Sequence, residues 1–217
     1  MPVTPVDFAS LLCSRLCHDL LSPVGALNNG LELLADETDP AMRQRCMELL
    51  AESARTSANK LKFFRLAFGA AGGFGDQVDT REARAAIEGL LADNKRLEVQ
   101  WLVEAAQLPK PAAKALLNLA MIGGDALVRG GQLAIGAEEE NGHVEIVVRC
   151  EGPRVILDPD IRRMLVEGQG EGEITPRTAA AFLIHSLAET VQVSEPGDNV
   201  LLFGAALGAA RLPATSG

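Results

Sequence analysis

The strongest constraint on this chain is a run of apolar residues near the N-terminus spaced at steps of three and four. Between Asp7 and Leu34, the residues Cys13, Leu16, Leu20, Val24, Leu27, Leu31 and Leu34 fall on one stripe when each residue turns a helix by about 100°. Such steps are those of a helix-bundle seam. A short polar connection, ADETD, follows, and Asp39 and Pro40 make a good N-cap and first helical residue. The second helix is predicted to run to about Phe68, with Met42, Cys46, Leu49, Leu50, Leu61, Phe64 and Phe68 as its apolar side, and to end at Gly69 and the run AAGGFG. So short a connection between two long helices implies an antiparallel hairpin. Two helices alone cannot bury both stripes. Dimerisation into a four-helix bundle is the expected remedy, with Leu16, Leu20, Leu27, Leu31, Leu49, Leu61 and Phe64 inside. The alternative is that the hairpin packs on its own C-terminal half.

The boundary falls near residue 75, giving a helical hairpin over 1–75 and an α/β unit over 76–212. In the second unit a helix over about 80–94 leads into the strand candidate LEVQWLV. Pro109 and Pro111 open a helix reaching about Val128. The strand candidates QLAIGAE and HVEIVVRC meet through Asn141–Gly142, a strong hairpin signal. A short helix over 160–166, a loop GQGEGE and a helix over 175–189 follow. Two strands, VQVSE and NVLLFGAAL, joined by PGD, close the fold. This order predicts an α/β sandwich with a largely antiparallel sheet. The tail LPATSG is expected to be disordered.

Composition removes several function classes. The formal charge of −9 and pI near 4.9 argue against general nucleic-acid binding, which needs a basic face to displace phosphate counterions. No apolar run approaches the roughly 20 residues of a membrane-spanning helix. The start, MPVTPVDFAS, lacks the basic and apolar segments of a secretory signal, so a cytoplasmic location is expected. Cys13, Cys17, Cys46 and Cys150 contain no CxxC pair and read as small buried hydrophobes in a reducing compartment. A metal site built from the helical cysteines is disfavoured, because His18 points away from the stripe carrying Cys13.

His18 lies in SRLCHDLLSPVGAL, about 160° from the centre of the stripe, and so should face solvent. Ser14, Arg15, Ser22, Gly25 and Asn29 surround it, mostly small or polar. They make a shallow surface on which a partner can bring an aspartyl phosphate near an imidazole. Leu11 and Leu21 could add apolar contact. Asp19 could hydrogen-bond the ring and hold one nitrogen protonated while the other attacks. Pro23 removes a backbone N–H and frees a carbonyl near Asp19. His143 and His185 lack this pattern; the first reads as exposed, the second as partly buried and structural. Arg55, Lys60, Lys62 and Arg65 form a basic side of the second helix that solvates the bundle or meets acidic partners.

The series His18, Asp19, Leu20, Leu21, Ser22, Pro23 resembles the phospho-acceptor box of sensor histidine kinases. The whole chain is similar to the ChpT family of histidine phosphotransferases, known from alphaproteobacteria. That resemblance implies a dimeric helical hairpin joined to a domain shaped like a histidine-kinase ATP-binding domain that no longer binds nucleotide. Three features of a working domain of that type are altered. The asparagine box supplies Asn118, but Ile122 stands where a magnesium ligand belongs, and an alkyl side chain cannot coordinate a hard cation. The adenine-reading DxGxG turn is replaced by Cys150-Glu151-Gly152-Pro153-Arg154. The glycine-rich lid would be GQGEGE, where Glu171 and Glu173 would repel a triphosphate.

The expected function is a two-component phosphorelay in which His18 passes a phosphoryl group between aspartates of receiver domains, with no nucleotide, cofactor or metal site of its own. Mg²⁺ is expected in the partner receiver. By the resemblance, the donor is the receiver domain of a CckA-like hybrid kinase and the acceptors are CtrA-like and CpdR-like response regulators. The rival readings are an ATP-dependent sensor histidine kinase core and a non-catalytic dimeric scaffold.

Overall fold

The structure, a computed structural model, describes residues 3–69, 76–169 and 173–208. The expected AAGGFG terminator, much of the glycine-rich loop and the LPATSG tail lie outside the described residues.

Helix α1 spans Pro5–Asp36 and starts at a capping box: the Thr4 hydroxyl accepts from the Asp7 N–H while the Asp7 side chain accepts from the Thr4 backbone. Helix α2, Pro40–Ala67, is capped as expected, Asp39 accepting from the Met42 N–H. The two pack as an antiparallel hairpin, and within one protomer the apolar stripe is divided between the contact with α2 and an open side. The positions that α1 withdraws from solvent include Leu16, Leu20, Pro23, Leu27, Gly30 and Leu34. Val24 and Leu31 of the same stripe are 45% and 56% exposed in the single protomer. Among the described residues of α1, Pro23 is the buried one, and a Cβ on Gly30 would meet Leu50 of α2 at 2.9 Å. A proline ring and a glycine thus join the stripe leucines on the side of α1 that faces α2. Leu49 and Leu61 of α2 are 61% and 55% exposed in the single protomer. Cys13 and Cys17 are exposed too, while Cys46 and Cys150 are buried. The expectation of four buried cysteines thus fails for the two on the open side of α1.

The C-terminal end of α2 turns its apolar face to the α/β unit. Phe63, Phe64, Leu66 and Ala67 belong to the same core as α3 and α4. Strand β1 (Gln77–Asp79) and helix α3 (Thr80–Leu91) lead to β2 (Leu97–Trp101), then β3 (Gln107–Pro109) and α4 (Lys110–Ala126). Strands β4 (Gly131–Glu140) and β5 (His143–Glu151), helices α5 (Pro159–Glu167) and α6 (Ala179–Leu187), and strands β6 (Thr190–Gly197) and β7 (Val200–Leu207) complete it. The main sheet runs β2-β4-β5-β7-β6, parallel only between β2 and β4. Its inner face, including Leu133, Ile135, Ile146, Val148 and Phe203, is fully buried under α4 and α6.

The β4–β5 turn holds Asn141 and Gly142 at φ of 54° and 79°, the tight hairpin the dipeptide implies. The last hairpin turns one residue later than PGD: Gly197 pairs Val200, and Asn199 takes φ 57°. Helix α6 starts later than predicted because Thr175 and Thr178 bond each other's backbone and hydroxyl groups, a local alternative to the helical ladder. The two-stranded sheet β1–β3 has no counterpart in the sequence reading; three residues are too few for a periodic signal. Among the described residues, no helix is long and apolar enough to cross a membrane.

Candidate functional site

His18 stands near the middle of α1, with 85% of its side chain exposed. Its Nδ1 is 3.1 Å from Asp19 Oδ1, and among the described residues no hydrogen bond is made to Nε2. A carboxylate facing Nδ1 favours the tautomer with the proton there and leaves the Nε2 lone pair outward. The second oxygen of Asp19 accepts from Arg15 Nε at 2.8 Å. Burial works to raise the Asp19 carboxyl, but hydrogen bonds from Arg15 and His18 and the charges of Arg15 and Lys60 outweigh it and hold it below its ordinary value.

The imidazole stands at the rim of a cleft of about 740 Å³ between α1 and the α/β unit. Ser14, Arg15, His18 and Asp19 form one wall; Ile122 and Asp125 of α4, Ile156 and Leu157 before α5, and Pro176 and Arg177 form the other. Arg15 spans the gap. Its Nη1 donates to the Arg177 carbonyl at 3.4 Å and its Nη2 lies 3.8 Å from Asp125 Oδ2. Arg177 in turn pairs with Asp158 at 2.6 Å, the residue that caps α5. Burial between the walls raises the Asp125 carboxyl, with Arg15 opposing, although its side chain opens on the solvent side of the cleft and stays 70% exposed.

The remaining residues singled out in the sequence are distributed unevenly. Ser14, Leu21 and Ser22 are exposed within about one turn of His18, Leu21 69% so, and Asn29 is exposed about three turns further along α1. Gly25 has open space where a Cβ would stand. Leu11 is half-buried and packs on the core of the α/β unit, and Arg15 is occupied by Asp19 and the cleft rather than pointing outward.

Residues 80–194 match the family described as the histidine phosphotransferase C-terminal domain. The chain is 37% identical over 191 residues to the protein phosphotransferase ChpT of Brucella abortus (strain 2308), covering 87% of this chain and 90% of that one. It belongs to the histidine phosphotransferase family. A solved structure of a bacterial phosphotransferase superimposes with a TM-score of 0.82 at 32% identity, over 94% of this chain and 98% of the other.

At the positions that the sequence resemblance sets against a nucleotide site, the side chains take part in packing and local ion pairs. Asn118 is fully buried, its Nδ2 donating to the Ala67 carbonyl at 3.2 Å and the Lys114 carbonyl at 2.8 Å. It ties α4 to the end of α2 and does not line the cleft, where Ile122 presents its alkyl chain instead. Cys150 is buried and its thiol pushed up to about 12 by that burial, and Glu151 pairs with Arg149 on the strand at 2.5 Å. His185 is half-buried with Nδ1 3.1 Å from the Leu165 carbonyl; His143 is exposed, 4.0 Å from Glu189.

Sequence reasoning missed Asp125, Asp158, Arg177 and the role of Lys60. The first three meet Arg15 or the cleft only through tertiary packing. Lys60 had a signal, because the carbonyl freed by Pro23 required a donor.

Proposed function

We propose that His18 carries the phosphoryl group of this histidine phosphotransferase, receiving it from one receiver-domain aspartate and passing it to another. The observation that carries this reading is an exposed imidazole whose Nδ1 is engaged by Asp19 at 3.1 Å. In the forward step the Nε2 lone pair attacks phosphorus in line, the N–P bond forms, and the acyl P–O bond breaks with its electron pair leaving on the partner aspartate. The ring keeps its Nδ1 proton, and the positive charge that develops is met by the Asp19 carboxylate. Reversal onto a second aspartate completes the relay. Magnesium belongs to the receiver, so this chain mainly positions a nucleophile. Ser14, Ser22, Gly25 and Asn29 give the docking surface low relief, and Leu21 supplies apolar contact.

The donor is the receiver domain of a CckA-like hybrid kinase and the acceptors are CtrA-like and CpdR-like response regulators. The protein acts as a homodimer through its hairpin; exposed apolar residues of the hairpin, among them Val24, Leu31, Leu49 and Leu61, support a second copy covering them. It acts without ATP, a reading supported by Ile122 in the cleft and by Asn118 in the core. Transfer from a radiolabelled receiver domain tests the central assignment. Wild type should gain an acid-labile label, and His18→Ala should fold normally and gain none. Label persisting on the variant, at His143 or His185, overturns it.

A further inference from the structure

An uninterrupted α1 would bond the N–H of residue 23 to the carbonyl of residue 19. Pro23 has no N–H, and its ring crowds that same carbonyl. The Asp19 carbonyl is therefore left without a helical partner, and because Pro23 is buried against α2, it is turned toward protein rather than open water. A buried backbone carbonyl requires a donor. Lys60 of α2 supplies it, with Nζ 2.9 Å from the Asp19 oxygen. Glu52 and Asp93 line the same groove as Lys60, yet Lys60 forms no ion pair with either among the described residues. Its ammonium is spent on the backbone of the reactive turn.

We infer that Lys60 is a positioning residue for phosphotransfer: by bonding the carbonyl that Pro23 leaves open, it fixes from the opposite helix the turn that carries His18 and Asp19. This rests on His18 being the phosphate carrier. The bond acts at the residue next to the nucleophile, so a small rotation of that peptide moves the Asp19 carboxylate relative to the His18 ring. The charge acts too, since Lys60 is one of the groups that keep Asp19 ionised, and an ionised Asp19 is what favours the Nδ1–H tautomer. Lys60 touches neither His18 nor any reacting atom. Its effect passes through Asp19.

A purely structural lysine would lower melting temperature and leave the chemistry of the folded fraction alone, so the test uses readouts that such a role does not move. Lys60→Met keeps the apolar stem and removes the donor and the charge; Lys60→Arg restores both. Nitrogen NMR of the His18 ring in the full chain should report a dominant Nδ1–H tautomer in the wild type, a mixture in Lys60→Met, and recovery in Lys60→Arg. Transfer from a labelled receiver, measured below the melting transition, should fall about tenfold at saturating donor in Lys60→Met. KM should stay unchanged, because the docking surface is intact, and Lys60→Arg should regain most of the rate. A wild-type ring spectrum in Lys60→Met, a loss confined to KM, or a lowered melting temperature with full rate each overturns the inference. Failure of wild type to take label at His18 overturns the carrier assignment instead, and the ring spectra still decide whether Lys60 sets the tautomer.

Discussion

Arg15 Nε lies 2.8 Å from Asp19 Oδ2, one helical turn away, so the carboxylate that faces the His18 ring is held from behind by a guanidinium. Only Oδ1 remains for the imidazole, at 3.1 Å. This clasp fixes the direction from which His18 is oriented, and it links the reactive turn through Arg15 to the Arg177 carbonyl across the cleft.

Asp19→Asn should therefore cost transfer more than folding. The amide can still accept from the ring, but it lacks the charge that favours the Nδ1–H tautomer and meets the cationic phosphohistidine, so the rate should drop by about a hundredfold. Stability adds a pH signature. The folded-state pKa of Asp19 lies below its ordinary value of 3.8, so the ionised group stabilises the fold above that value. That contribution is lost as pH falls toward the folded pKa. Denaturant melts at pH 7 and pH 3 should show the wild type ahead of Asp19→Asn at the first and the gap narrowing at the second. An equal gap at both would contradict the clasp.

Gly25 gives a test of where the receiver docks. Among the described residues, and apart from its own stretch of helix, no atom lies within 4 Å of a Cβ built there, so tertiary packing does not call for a glycine in mid-helix. Gly25→Ala should stabilise the fold by up to about 1 kcal/mol and leave transfer near wild type. Gly25→Leu should fold equally well yet block transfer by standing in the receiver's path. Full-rate transfer by Gly25→Leu would place the docking surface elsewhere.

How the apolar stripe divides between the hairpin contact and the open side decides which leucine tests assembly. Leu27 is half-buried within the protomer, so a charge there should unfold the hairpin. Leu31 is 56% exposed, and Leu31→Glu should leave the protomer within about 0.5 kcal/mol of wild type. It should nonetheless split the dimer, since an unpaired charge in a closed seam is costly. Sedimentation at micromolar concentration checks both. A dimer that survives Leu31→Glu would remove this face of α1 from the interface.

Much of the fold and part of the site are legible in the residues themselves. The capping pair Asp39–Pro40, the Asn141–Gly142 turn and the solvent-facing His18 each depend on a local rule, and each stands as the sequence implies. Periodicity counts apolar side chains, so it does not mark the buried Pro23 or the Gly30 packed near Leu50 as parts of the hairpin contact. Lys60 reads in the sequence as a solvated charge: Pro23 signals that the Asp19 carbonyl needs a donor, but no side-chain pattern names which residue of the other helix supplies it. The cleft charges Asp125, Asp158 and Arg177 come together from three elements, and sequence spacing holds no trace of that meeting.

Asn118 separates a retained nucleotide ligand from a residue kept for packing. Its amide donates to the carbonyl of Ala67, in the last turn of α2, and to that of Lys114, and helix-terminal carbonyls have no partner within their own helix. Its Oδ1 is buried with no hydrogen-bond partner among the described residues. Asn118→Ala should therefore lower stability by about 1–3 kcal/mol, through the unpaired Ala67 carbonyl and the space left in the core. Transfer per folded molecule should be unchanged, because the His18 turn is not touched. Titration of wild type with MgATP at millimolar concentration should give no saturable heat, and Asn118→Ala should match it. Saturable heat in the wild type that disappears in Asn118→Ala would mean that this asparagine swings out to hold a nucleotide, and the ATP-independent reading would fall with it.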